Sequence, residues 1–202
     1  MDQVSTRLHS RFSAFSLIEL MIVIALLGLL TVLAVPALNS VMRGSNINLA
    51  GQTITDQLAL ARQDAVTRNR DVQVRFYRMT NGSTPGWRAV QLWRIDQGPT
   101  GPTTNAIGRL IQIPEGIIIA TNNNLSPLIT TPTFTGTTNL PGYGSTPYAG
   151  FRFRANGSLE STVTAARGYL TLAPASDANE VPVNYFTIQL NPLTGKALIF
   201  RP

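Results

Sequence analysis

Glu19 is the one carboxylate in an otherwise uncharged apolar run, FSLIELMIVIALLGLLTVLAVPAL, from Phe15 to Leu38. A carboxylate at membrane depth costs roughly 2.5–3.5 kcal/mol on insertion scales, so it requires a partner and a role. The other side chains offer little chemistry. There is no cysteine, which removes disulfides and thiolate sites. The single histidine, His9, precedes the apolar run. The chain beyond it therefore has no imidazole base, no His-containing metal site and no Ser-His-Asp triad. The remaining acids, among them Asp56, Asp64, Asp71, Asp96, Glu115 and Glu160, are widely spaced, and enzyme is the weakest function class. Asp177-Ala178-Asn179-Glu180 carries oxygen ligands without EF-hand spacing and reads as a solvated turn. No metal and no cofactor is expected. Trp87 and Trp93 stand at even spacing and read as core residues on one face of a strand.

The elements that must position Glu19 come next. As a helix, the uncharged stretch from Leu20 to Leu38 spans roughly 30 Å, one bilayer core. Arg7 and Arg11 precede it, which puts the N-terminus on the cytoplasmic side. A cleaved secretory signal fits the basic start, but not the length of the run or Glu19 within it. A plain anchor helix fits the length and leaves Glu19 unexplained. Pro36 removes a backbone hydrogen bond and predicts a kink or local opening there. Arg43-Gly44-Ser45-Asn46 is a polar spot beyond it. Ile47, Ala50, Ile54, Leu58, Ala61 and Ala65 then recur at spacings of three and four, on one helical face. The pattern predicts one long helix from about Ser16 to Asn69, weakened near 36–46.

Beyond the helix the chain reads as strand and turn. Residues 71–76 and 87–95 alternate with period two. Short strands are expected at 109–113, 117–119, 151–154, 169–172, 185–190 and 196–200. The last two are joined by a hairpin loop over 191–195. Residues 121–148, rich in Asn, Thr, Pro, Gly and Ser, read as a long loop. One helix followed by short strands argues an α+β fold, with an antiparallel sheet packed on the helix. The formal net charge is +6, and Lys196 is the only lysine among the basic residues.

Ala14-Phe15-Ser16-Leu17-Ile18-Glu19-Leu20 resembles the class III signal of type IV pilins and type II secretion pseudopilins. The resemblance implies that prepilin peptidase cuts between Ala14 and Phe15 and that Phe15 becomes N-methylated. Ala14 stands where the family usually has glycine. Glu19 matches the family's glutamate, which is thought to pair with the N-terminal amine of a neighbouring subunit. Gly28 and Pro36 match positions between which the family's helix loosens in the filament. Ala61-Arg62-Gln63-Asp64-Ala65-Val66 leading into Val72–Phe76, then Phe151 to Gly157, then Gly195-Lys196, resemble the GspH/FimT branch.

The resemblance implies a leader over 1–14, a transmembrane helix over 15–42, an amphipathic second half over 43–70 and a sheet domain over 71–202. It implies a minor pilin or pseudopilin at or near the tip of a type IV pilus or type II secretion pseudopilus, and no enzyme. Its partners would be other pilin subunits, prepilin peptidase and the bacterial inner membrane, with the C-terminal domain in the periplasm. The alternative is a DNA-binding minor pilin for DNA uptake. Some relatives bind DNA through a terminal Gly-Arg-x-Arg. The matching Gly195-Lys196-Ala197-Leu198 keeps the first basic residue as lysine and replaces the second by leucine. Arg152, Arg154, Lys196 and Arg201 are the candidate phosphate contacts, with a solvated face as the plainer reading.

Overall fold

A helix of 52 residues, α1 (Leu17–Arg68), opens the structure, a computed structural model that describes residues 16–81, 84–122, 124–177 and 182–202. Side chains are described for these residues except 33–43, 81 and 84. Asn123 and the stretch 178–181, which holds most of the expected solvated turn, fall outside the description, and the Asp177 N–H donates to the Pro174 carbonyl at 2.9 Å. The chain divides into two compact units, residues 1–41 and 42–202. The backbone of α1 is helical through Gly28 and Pro36, in keeping with the one long helix expected from about Ser16 to Asn69.

The helix ends for a local reason. Asn69 adopts a left-handed φ of 50°. Its N–H donates to the Val66 carbonyl at 3.3 Å, and the Arg70 N–H to the Ala65 carbonyl at 3.1 Å. This is the paired bonding of a Schellman end, with asparagine in the place glycine usually takes.

Among the described residues nine strands follow in one antiparallel sheet: β1 (Val72–Asn81), β2 (Thr84–Gly98), β3 (Gly101–Gln112), β4 (Ile117–Ile119), β5 (Phe134–Leu140), β6 (Gly144–Phe153), β7 (Tyr169–Pro174), β8 (Phe186–Leu190) and β9 (Ala197–Phe200). Their order is β5-β6-β1-β2-β4-β7-β8-β9, with β3 paired to β2. A short helix, α2 (Pro127–Thr130), and β5 occupy the stretch expected as a loop, and β6 begins within it. That expectation was wrong because the ladder there is built on Thr, Gly and Asn, which carry little apolar signal. β3 also runs well beyond the expected 109–113. Most of its residues are exposed on both faces, so no alternation of polarity marks it.

The core joins the second half of α1 to the sheet. Ile47, Ala50, Ile54, Leu58, Ala61 and Ala65 are all buried, as their spacing predicts. They meet Val72, Val74, Phe76, Val90, Leu92, Phe151, Phe153, Leu170, Leu172, Ile188 and Leu190 from the sheet. Each large aliphatic buried here contributes about 1.5–3 kcal/mol. The approach is close at Gly51, over which the Phe186 ring lies. Arg62 Nε donates to the Thr194 carbonyl at 2.6 Å and fixes the β8–β9 hairpin to the helix. A smaller cluster of Tyr77, Met79, Ala89 and Leu140 lies apart, with Leu110 and Tyr148 against it.

The two tryptophans do not share a face. The β1–β2 register shifts between Tyr77 and Arg78, where Ala89 and Trp87 are their respective partners and Arg88 is the extra residue. A bulge of this kind reverses the facing of every side chain beyond it. Trp87 therefore packs on the main core. Trp93 donates from Nε1 to the Tyr77 hydroxyl at 3.0 Å and stacks 4.5 Å from the Arg75 guanidinium.

Candidate functional site

Ser16 precedes the first turn of α1, and its carbonyl accepts from the Leu20 N–H at 3.1 Å. Glu19 lies in that turn and is exposed. The unpaired N–H groups of a helix start favour a negative charge there. Ser16 and Glu19 also stand at the spacing of a capping box, a signal for the helix start that a search for partner charges passes over. Ala14 and Phe15 lie outside the described residues.

From Leu17 to Val32 every side chain is exposed, with Leu17 at 77%, Ile18 at 66% and Val32 at 70%. A helix apolar all round needs cover from lipid or from other helices. Among the described residues no helix is long and apolar enough to cross a membrane. The described side chains of the apolar run stop at Val32, and those from residue 33 to Leu38 fall outside the description. Within the run, the Thr31 hydroxyl bonds the Gly28 carbonyl at 2.8 Å and the Leu27 carbonyl at 3.0 Å. Back-bonding of this kind slightly weakens and bends a helix. Pro36 in turn supplies no N–H to the turn before it.

The candidate phosphate contacts have separate local partners. Arg152, on β6, sits 4.0 Å from the Asp71 carboxylate and lines a groove with Asn69, Arg70 and Thr104. Arg154, exposed just past β6, donates to the Ser161 hydroxyl at 3.3 Å. Lys196, exposed, lines a different groove with Arg62 and Val66. Arg201 bonds the Asn48 side chain and lies 5.6 Å from the Phe186 ring, so it is engaged on the helix.

Charge chemistry elsewhere in the sheet unit is internal. Arg94 bridges Asp96 at 3.1 Å and Asp64 at 3.6 Å, and Asp64 also holds Arg68 at 2.9 Å. The Asn105 amide, then Arg94, hold the Asp96 carboxyl below its ordinary range. Burial pushes the Tyr77 phenol above its ordinary value, against the opposing Trp93 hydrogen bond and Arg75 charge. Among the described residues no group of acids or histidines could hold a metal ion.

Comparison with known proteins follows the same division of the chain. Residues 9–35 match the model of the prokaryotic N-terminal methylation motif. Residues 50–187 match the model of the type II transport protein GspH. No curated protein matches. Two solved structures of the minor pseudopilin EpsH from the type II secretion system of Vibrio cholerae are similar. One shares 10% identity at a TM-score of 0.42, covering 78% of this chain and 98% of its own. The other shares 12% identity at a TM-score of 0.44, covering 79% and 96%. With the GspH model matching well over half its length behind an N-terminal methylation motif, the chain belongs to the GspH family of type II transport proteins.

Proposed function

We propose that this protein is a minor pseudopilin that assembles at or near the tip of a type II secretion pseudopilus through its N-terminal helix. The observation that carries the reading is the all-round apolar, exposed stretch Leu17–Val32 with Glu19 in its first turn, ahead of a separately cored sheet unit. In this reading residues 1–14 are a leader, cut between Ala14 and Phe15, and residues 15–42 hold the precursor in the inner membrane with the sheet unit in the periplasm. Residues 43–70 carry the sheet domain, 71–202. Glu19 then meets the N-terminal amine of a neighbouring subunit, which removes the cost of a lone charge in hydrocarbon. Back-bonding at Thr31 and the missing donor of Pro36 supply the weak hydrogen bonding that loosening between Gly28 and Pro36 needs. The role is structural and requires no catalysis. The DNA-receptor alternative has no support from the family match.

Glu19→Ala tests the reading. Removing a charge from lipid leaves insertion unchanged or improved, whereas a neighbour's amine loses its partner. Blots of membrane and sheared-filament fractions should show normal membrane retention with loss from the filament. N-terminal sequencing of the retained protein should start at Phe15. Wild-type recovery of Glu19→Ala in filaments would refute the assembly role.

A further inference from the structure

Arg88 is 8% exposed, and its Nε is fully buried with no hydrogen-bond partner. None of the ion pairs among the described residues includes it. The adjacent hairpin tip, residues 81–84, contains no acid. A buried guanidinium N–H left without an acceptor is costly, because it loses its hydration and gains nothing in return. Arg75 shows how the same sheet treats an arginine kept for internal use. It is equally buried, yet two of its nitrogens bond Gln73 Oε1 at 2.9 and 2.6 Å, and Trp93 and Tyr148 cover it at 4.5 and 4.7 Å. Arg88 has no such shell.

The backbone presents Arg88 deliberately. It is the bulged residue of β2 against β1, and on the opposite edge β2 passes from β3 to β4 at this point. The Arg88 carbonyl accepts from the Ile113 N–H at 2.7 Å, which seals the changeover. A Cβ at Gly86 would lie 3.3 Å from Nε, so glycine there leaves the guanidinium its place. The side chain lines a pocket of about 290 Å³ with Met79, Thr80, Gln112, Ile113 and Tyr143. A neighbouring groove of about 570 Å³ shares Met79, Thr80 and Tyr143 and adds exposed Arg78. Tyr143 is itself oriented, its hydroxyl accepting from the Gln112 amide at 2.9 Å.

We infer that the Arg88 pocket receives an Asp or Glu side chain from a neighbouring subunit of the filament. The identity of the donor rests on the assembly reading above. A planar carboxylate matches the guanidinium fork, and the pocket is sized for one side chain. Thr80 and Tyr143 line the same pocket and carry hydroxyls that can donate to a carboxylate held there. A nucleic-acid backbone is the poorer match, since it needs cations in series and the lining adds only Arg78.

The test uses full-length protein labelled with ¹⁵N-arginine in non-ionic micelles, with the Arg88 Nε–H signal assigned from Arg88→Gln. N-acetylglutamate α-amide should shift that signal saturably, with a Kd on the order of millimolar for so small a ligand. The glutamine analogue should not shift it. Absence of a shift, or equal shifts for the two, overturns the inference, and the binding itself is read on the unsubstituted protein. Tighter binding of a short DNA oligonucleotide at the same signal would overturn it in favour of phosphate. In cells, Arg88→Gln should lower recovery in sheared filaments by about thirtyfold or more at normal membrane levels. Wild-type recovery of Arg88→Gln alongside loss of Glu19→Ala sinks the docking site and leaves the assembly reading intact. Wild-type recovery of both sinks the assembly reading itself.

Discussion

Substituting Gly51 by alanine puts a methyl group where the Phe186 ring already stands. A Cβ there would lie 2.5 Å from Phe186 Cδ1 and closer still to Cγ and Cδ2. Ordinary carbon contacts are about 3.5–4 Å, so the ring must retreat by about 1 Å. It cannot do so by a swing of its far end, because Cγ is the atom where the ring begins, and Phe186 is only 3% exposed. Overpacking of this kind costs about 1–3 kcal/mol, here near the upper end. Alanine returns about 1 kcal/mol of helix propensity over glycine. The expected net loss is about 2 kcal/mol, a fall in Tm of roughly 4–8 °C for a unit of this size. Gly44→Ala is the control in the same helix, since nothing lies within 4 Å of its Cβ position. It should be neutral or gain up to about 1 kcal/mol. Melting of the full chain in micelles, followed by near-ultraviolet circular dichroism, measures both. Combining Gly51→Ala with Phe186→Leu should recover about 1 kcal/mol relative to the sum of the single changes. A Gly51→Ala protein as stable as the wild type, or strict additivity with Phe186→Leu, would show that the ring does not bear on the helix there.

Two further perturbations test the sheet and its hairpin. The folded-state pKa of Tyr77 is raised by burial, so its contribution is complete below about pH 10 and declines as pH rises through the folded value. Tyr77→Phe should flatten that alkaline loss in urea titrations while costing about 1 kcal/mol at neutral pH, because Trp93 Nε1 loses its acceptor. Gly195 combines φ of +64° with a Cβ position that collides with the Gly157 carbonyl oxygen and lies 3.1 Å from Arg62 Cδ. Gly195→Ala should therefore cost roughly 3 kcal/mol or more, seen as loss of the cooperative transition or a large fall in Tm.

The helix face was legible because burial alone set its period: six residues from Ile47 to Ala65 needed one common side, and the sheet supplied one partner surface. β8 was legible for the same reason, its buried and half-buried residues alternating along the strand. β3 was not, because a ribbon wet on both faces has no alternation to display. β5 and the start of β6 were hidden by Thr, Gly and Asn, whose backbone pairs perfectly well without apolar side chains. The tryptophan pair misled because even spacing holds only in an unbulged strand, and the bulge at Arg88 lies between them. Arg88 itself carried no sequence signal at all. One arginine among many is singled out only by its burial and its missing partner, which are properties of the folded sheet. Glu19 was the reverse case, conspicuous in the sequence because its neighbours are apolar.

The contacts that close the sheet unit onto α1 lie near the two ends of the polypeptide. Arg62 and Thr194 are separated by 132 residues, and Asn48 and Arg201 by 153. A ribosome adding about 5–20 residues per second takes roughly seven to thirty seconds to cover that interval. Through all of it the stripe from Ile47 to Ala65 is made but has no β8–β9 hairpin to lie against. Long-range closure of this kind is slow even once the chain is complete. A nascent chain thus spends its early life as a greasy helix trailing unfinished sheet, and the β8–β9 hairpin that shields the stripe is made after every other strand described.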